Sequence, residues 1–337
     1  MLRIYIAFLF LFTVSVTIVS AQTVVNLSQG RKTSIRGLSV INDNTAWLSG
    51  SGGTVAITHD GGKTWDWQQV KGFEKSDFRD IEAFSDKEAV IISSGSPAYI
   101  LKTTDGGQSW EKKFEQADTT YFLDAMDFEN PKHGFVLGDP INGKFLLLET
   151  KDGGNTWAQV KDAPNAVKNE GAFAASGTCL RVTNKYVAIV TGGSESRLIS
   201  SPLNRIAWAY ESLPLTNGAA SMGAFSIAFG KNEKVIVGGN YAKDRLKDSV
   251  AFVIQFGKTQ VKPFSPAEGP AGYQSGVEHL REGIYLSTGT SGTNITTDGG
   301  KTWKKIDAAS YNVCRKAKNG SVVLLAGDRG NISLLKF

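Results

Sequence analysis

The chain is poor in the residues that usually announce chemistry. Its 337 residues include only 2 Cys, 3 His, 3 Met and 9 Pro. Two cysteines exclude a disulfide-dense scaffold and a cysteine-rich zinc site, and without a Cys-x-x-Cys pair there is no haem-attachment or dithiol redox motif. No Gly-x-Gly-x-x-Gly turn opens a helical stretch, so the usual dinucleotide cradle is missing too. Basic runs are also lacking. The 37 Lys and Arg outnumber the 32 Asp and Glu by a net +5 spread along the whole chain, which reads as ordinary surface charge and not as a nucleic-acid footprint. Helix-period segments of useful length are absent, whereas Gly is abundant at 37 residues and 41% of the chain is hydrophobic. Many tight turns around a large core are implied.

One long apolar stretch exists, Ile4–Val19, behind Arg3 and ahead of the small residues Val19-Ser20-Ala21. This is the layout of a signal peptide over residues 1–21, with cleavage before Gln22. The rival reading is a membrane anchor, although the stretch is short of the ~20 residues a spanning helix needs. The expectation is an exported chain, periplasmic or secreted, with no membrane span once the signal is removed.

Internal repetition then decides the architecture. Four segments match almost letter for letter: Thr58–Trp65, Thr103–Trp110, Thr150–Trp157 and Thr296–Trp303, each reading Thr-x-Asp-Gly-Gly-x-Thr/Ser-Trp. The first three Trp residues are 45 and 47 apart, and the gap of 146 to Trp303 leaves room for two eroded copies. One is Ser201–Trp208, and the other falls near Gln255–Pro263. A β-prone run ending in glycine recurs independently, as in Ala46–Gly50, Val187–Gly192 and Ile284–Gly289, and is counted seven times. Seven units of about 45 residues match four-stranded propeller blades. In the first unit the strands fall at Ser34–Ile41, Ala46–Gly50, Thr54–Thr58 and Trp67–Val70. The last unit has only three strands before Phe337, and Thr23–Leu27 is the expected fourth. The fold expected for residues 22–337 is therefore one all-β, seven-bladed β-propeller closed by its N-terminal strand; six blades plus a separate hairpin is the alternative.

The repeated segment resembles the Asp-box, or BNR, repeat of sialidases, sortilin-type receptors and related propellers. Asp60, Asp105, Asp152 and Asp298 are read as structural: each carboxylate accepts backbone N–H groups of its own turn, and Trp65, Trp110, Trp157 and Trp303 cover apolar area between blades. The other reading, catalytic carboxylates or calcium ligands, conflicts with a symmetry that holds the four apart. No metal site is expected.

Further strings, among them Asp77–Phe84, Phe122–Met126, Gly138-Asp-Pro140, Glu170–Thr178, Gly238–Tyr241 and Gly272–Ser275, resemble the photosystem II stability/assembly factor group and its many bacterial relatives. That resemblance implies an exported propeller that binds protein partners during assembly. Relatives are often labelled oxidoreductases, yet no cofactor motif supports the label here, and no cofactor is expected.

The Asp-box turns fix one face of the ring. Length variation collects on the other, in Gly138–Lys144, Gly239–Asp248, Lys161–Ser176 and Lys262–Ser275, so a protein partner or small acidic ligand is expected there. Arg36, Arg79 and Asp124 stand 29, 31 and 33 residues before their Trp and occupy matching places on inner strands. Arg181 and Glu278 are further channel candidates, while Glu170 and Tyr273 belong to long loops able to fold over the mouth. Two readings stay open: a mixed Arg/carboxylate pocket for an acidic group or chain terminus, or a water-filled channel whose charges satisfy one another. Cys179 and Cys314 fall across the ring and are read as free thiols. A monomeric, non-catalytic binding or assembly propeller is the leading function. The alternatives are a sialidase-like glycoside hydrolase, for which Arg36, Arg79, Asp124 and Tyr273 make a partial set, and a redox enzyme.

Overall fold

Residues 22–28, 30–257 and 260–337 are described by the structure, a computed structural model; the signal-peptide segment lies outside them. Seven antiparallel sheets follow one another along the chain. Blade 1 comprises Ile35–Val40, Ala46–Gly50, Thr54–Thr58 and Asp66–Gln69, ordered from the axis outward. The inner strands of blades 2 to 7 are Asp77–Ala83, Leu123–Phe128, Leu180–Val182, Ala219–Phe229, Gly276–Arg281 and Val313–Lys316. Among the described residues the only helical turns are the 3-10 turns Tyr241–Lys243 and Asp328–Gly330.

The second and third strands read as nearly continuous apolar runs because each blade is buried on both faces. In blade 1, Trp47 faces blade 2 and packs with Phe78 and Ile91, while its neighbours Ala46 and Leu48 face blade 7 and pack with Val313 and Leu324. This alternation is the period of a strand. Outer strands are mostly exposed, as in Glu111–Gln116, where charged side chains discourage edge pairing.

Closure is as the sequence suggested. Thr23–Ser28 pairs antiparallel with Ile332–Lys336, which pairs onward with Val323–Ala326, so the first and last strands share blade 7. The sheet of blade 5 departs from the expected four strands: two short strands, Glu170–Gly171 and Gly192–Gly193, add to its inner edge. They come from the long connection into blade 4 and from the segment between that blade's second strand, Tyr186–Val190, and its third, Arg197–Pro202.

Inner strands of adjacent blades belong to separate sheets, and side chains bridge the gaps between them. Ser39 Oγ accepts Ala83 N–H at 3.1 Å, Asp80 Oδ2 accepts Met126 N–H at 2.8 Å, and Asp127 Oδ2 accepts Val182 N–H at 2.5 Å. Arg181 Nε donates to Ile227 O at 3.2 Å, and Ser226 Oγ accepts Val277 N–H at 2.8 Å. Ser275 Oγ donates to Asn312 O at 2.7 Å, and Asn312 Nδ2 donates to Ile35 O at 3.0 Å. These seven joints circle the axis once.

The Asp-boxes are local clasps. Asp60 Oδ1 accepts Thr64 N–H and the Thr58 hydroxyl, each at 2.9 Å, while Oδ2 accepts the Thr64 hydroxyl at 2.6 Å. Thr58 Oγ1 in turn accepts Gly62 N–H at 3.0 Å, a role for the leading threonine that the sequence reading had missed. Asp105, Asp152 and Asp298 repeat the pattern. The glycines take positive φ, 74° and 89° at Gly61 and Gly62, which bends the chain back to the carboxylate. Each Trp then packs into the preceding interface; Trp110 meets Trp47 edge-on at 6.3 Å, and Trp157 meets Phe128 at 6.0 Å. In blade 4 the eroded turn keeps the hydroxyl anchor, with Ser201 Oγ accepting Ala207 N–H at 2.8 Å, and Trp208 donates to Asp162 O at 2.6 Å.

The Thr64, Ser109 and Thr156 hydroxyls, followed by their backbone N–H groups, hold Asp60, Asp105 and Asp152 down to about 2. A depressed carboxylate stabilises the fold above its unfolded value near 3.8 and loses that contribution as pH falls through about 2. Thr64→Val should therefore lower the thermal midpoint at pH 6, and the gap to wild type should narrow as the melt is repeated towards pH 2.

Candidate functional site

Antiparallel pairing places the Asp-box turns and the turns after each inner strand on one face. The turns after the second strands and the connections between blades open on the other. On that second face the inner strands carry a recurring defect. Register slips by one residue at Arg36, Arg79, Asp124 and Phe225, between pairs that are otherwise equivalent. A β-bulge kinks its strand and re-aims a side chain, so these four residues occupy one level near the axis. The spacing read from sequence thus found true structural equivalents.

At this level Arg79 donates from Nε to Asp77 at 2.8 Å and from Nη1 to Ala174 O at 3.3 Å, with its guanidinium 5.8 Å from the Phe122 ring. Arg36 lies close enough to Arg79 to feel its charge. Burial and then Arg79 lower its pKa, opposed by Asp328, Tyr273 and Asp77. Among the described residues Arg36 makes no ion pair. Aromatic rings complete the wall. Tyr273 packs on Phe225 at 4.8 Å, and Tyr241, 52% exposed, lies 6.2 Å from Phe225 and 6.3 Å from Tyr273. Tyr241 was not singled out from sequence, although it sits in the enlarged loop that was.

Asp124 is buried, its Oδ2 has no partner, and burial reinforced by nearby Asp139 pushes its carboxyl well up despite Arg79. Tyr273 is only 6% exposed and is raised by burial. Its hydroxyl bonds no carboxylate among the described residues, so the acid-assisted tyrosine of a sialidase is not assembled.

Glu170 does not fold over the mouth. Its side chain is fully buried against Arg197, whose Nε donates at 2.7 Å and whose Nη2 makes a second, shorter bond; Thr191 Oγ1 and Val167 N–H donate at 2.6 and 2.8 Å. With every lone-pair direction engaged, it fixes the long connection onto blade 4. A cavity of about 1060 Å³ opens beside it, lined by Asp139, Val167, Phe173, Gly193, Ala219 and Tyr241 among others.

The axis itself holds the main surprise. Ala172–Thr178, the end of that connection, turns inward and touches nearly every blade. Phe173 stacks on Phe225 at 3.6 Å, Ala174 O accepts from Arg79, Ser176 Oγ donates to Ser275 O at 2.7 Å, and Ser176 O accepts Arg315 Nη2 at 3.1 Å. Gly177 has φ of 70°, and a Cβ there would lie 2.1 Å from Asp80 Oδ2. A continuous water-filled channel is therefore ruled out, because chain occupies the axis. The plug also divides the residues grouped from sequence: Arg36, Arg79, Asp124 and Tyr273 lie towards the elaborated face, Arg181 and Glu278 on the Asp-box side.

The remaining reactive groups stay structural. Cys179 and Cys314 are free and buried, each raised by desolvation. His59 is exposed, and His133 sits between Glu129 and Glu149 at 3.2 and 2.8 Å. His279 packs on Tyr285 and is lowered by burial. No cluster of potential metal ligands occurs among the described residues, and none of their helical turns is long and apolar enough to cross a membrane.

The comparisons agree with this architecture. The family described as "Photosynthesis system II assembly factor YCF48" matches residues 19–116, and the BNR/Asp-box repeat matches residues 295–305. The chain is 23% identical over 303 residues to the photosystem II assembly lipoprotein Ycf48 of Synechococcus sp. (strain CC9902), covering 88% of this chain and 83% of that protein. It is 36% identical over 166 residues to the chloroplastic photosystem II stability/assembly factor HCF136 of Arabidopsis thaliana, covering 44% of this chain and 39% of that one. Among solved structures, YCF48 bound to D1 peptide superimposes with a TM-score of 0.66 at 17% identity over 94% of this chain and 97% of that one. YCF48 from Cyanidioschyzon merolae gives 0.65 at 15% identity, with 93% and 98% covered. A GH74 xyloglucanase from Xanthomonas campestris gives 0.63 at 14% identity, but only 53% of that chain is covered. The chain is thus a BNR-repeat propeller similar to photosystem II assembly factors.

Two outcomes test the plug. Gly177→Ala combines an unfavourable backbone with a collision at Asp80 and should cost about 2–4 kcal/mol in denaturant melts. Burial raises Asp80 to about 7, against the opposing pull of Arg315 and two backbone N–H groups. A raised carboxyl stabilises below the unfolded value near 3.8 and loses that contribution as pH rises through about 7. Asp80→Asn should lower the thermal midpoint at pH 4 and flatten its decline between pH 4 and pH 8.

Proposed function

We propose that this chain is an exported, non-catalytic assembly propeller that holds an acidic protein segment at the mouth of its elaborated face. Residues 1–21 act as the signal, and residues 22–337 work as a monomeric propeller in the periplasm or an equivalent compartment. The observation that carries the reading is the Arg36–Arg79 pair: two arginines on equivalent bulges, Arg36 close enough to Arg79 and Tyr273 to feel their charge and without an ion partner among the described residues, with the exposed ring of Tyr241 packed on Tyr273.

Two neighbouring like charges are costly unless an anion joins them, and a carboxylate can accept a fork of hydrogen bonds from each guanidinium. Aromatic side chains beside arginine supply the rigid anchors typical of binding hot spots. Asp77 and Asp328 offset part of the charge felt by Arg36, and an arriving carboxylate adds to that role. The similarity to assembly factors, one of them solved with a bound peptide, supports a polypeptide occupant.

Binding of fluorescent peptides ending in a free carboxylate tests the reading. Arg36→Ala combined with Arg79→Ala should weaken binding by about ten-fold or more, while the thermal midpoint stays within a few degrees of wild type. Unchanged affinity, or a collapse in stability, would reassign the pair to a structural role.

A further inference from the structure

The plug leaves a second hollow on the Asp-box side of the axis, independent of the site above. It measures about 420 Å³ and lies between the inner strands of blades 1, 2, 3 and 7, with Arg181 and Glu278 reaching it from blades 4 and 6. We infer that this cup binds a small oxyanion, a carboxylate or a phosphate, between Arg181, Arg315 and Lys316.

At its floor a single carboxylate faces two guanidiniums. Glu278 Oε2 is shared by two guanidiniums, Arg181 Nη2 at 3.3 Å and Arg315 Nη1 at 3.9 Å. The longer contact is not a hydrogen bond, and Arg315 Nη1 is a buried donor without a partner. Arg315 Nη2 is taken by Ser176 O of the plug, and Arg181 Nε by Ile227 O. Arg181 Nη1 has no hydrogen-bond partner among the described residues, and the side chain lines the cup. Lys316 lines the same wall and makes no ion pair among the described residues, whereas Lys318 is occupied by Glu82.

Four other acids line the cup: Glu82 is paired with Lys318 and Glu129 with His133, while Asp80 and Asp127 are engaged by backbone. Asp80 accepts Ile81 N–H at 2.9 Å and Met126 N–H at 2.8 Å, and Asp127 accepts Val182 N–H. Burial raises them to about 7 and about 6, which weakens their claim on the arginines in mildly acidic solution. An unsatisfied buried donor is uncommon in native proteins and points to an occupant. A volume of this order suits a small ligand, and a planar or tetrahedral oxyanion reaches two guanidiniums at once.

The test titrates inorganic phosphate and, separately, acetate into the full protein at pH 6 and constant ionic strength, read by calorimetry and by amide NMR shifts. Saturable binding is expected for at least one anion, with shifts centred on blades 4 and 7, and the better of the two identifies the chemistry. Arg181→Gln should weaken it about ten-fold, the scale of one lost charge-assisted hydrogen bond, and Arg181→Lys should recover part of the loss. If Arg181 variants fail to fold, Lys316→Ala on the rim should still weaken binding. The Arg36→Ala, Arg79→Ala protein should bind normally. Absence of saturable binding by wild type would overturn the inference, as would binding lost in the Arg36/Arg79 variant but kept in the Arg181 or Lys316 variants.

Discussion

A propeller stands or falls on the gaps between its inner strands. There the sheets converge without pairing along their inner strands, and beyond a few backbone bonds at the strand ends, such as Lys318 N–H to Val40 O at 2.9 Å, the polar backbone near the axis needs side-chain partners. This chain meets the constraint with seven side chains, Ser39, Asp80, Asp127, Arg181, Ser226, Ser275 and Asn312, each bonded to the backbone of the next blade. Their chemistry varies, but their role does not. The apolar interfaces outside this ring supply most of the burial, and they keep their register because the inner joints are satisfied. The clasps at the Asp-boxes act farther out, tying each turn so that its tryptophan enters the interface behind it.

Several of these joints are ionisable, so the residues that close the ring also set the electrostatics of its axis. Asp80 and Asp127 join blades while lining the Asp-box-side cup, and Arg181 joins blades 4 and 5 while pairing with Glu278. Charged groups near the axis therefore cannot be assigned to ligand recognition simply because they are polar and central. Arg36 and Arg79 differ: they sit on bulges one level away, and neither makes a joint of the ring. That separation leaves them outside the joints that close the ring.

Much of the fold was legible because repetition amplifies weak signals. A single Asp-Gly-Gly-x-Thr-Trp is a turn, but four at similar spacing fix the blade, and the glycine-ended runs count the ring. Arg36, Arg79 and Asp124 were also legible, since equivalent bulges fall at nearly equal distances from each tryptophan. Glu170 was misjudged because its partner Arg197 lies 27 residues away on another strand, and no local pattern announces the pair. The plug was hidden for a related reason. Loop length reveals spare residues but not where they go. The one signal available was composition: Gly171-Ala-Phe-Ala-Ala-Ser-Gly177 has no charged residue in a connection that would normally be solvated.

Filling the axis with the chain's own backbone changes what kind of object this ring is. A hollow toroid can let a polypeptide tail thread through it or pass solutes from rim to rim. Here Ser176 and Gly177 act as a bulkhead anchored to blades on opposite sides, so whatever docks at one rim is sterically invisible to the other. The two openings can evolve, be blocked, or be occupied separately, and a single client must grip one of them from outside instead of passing through the middle.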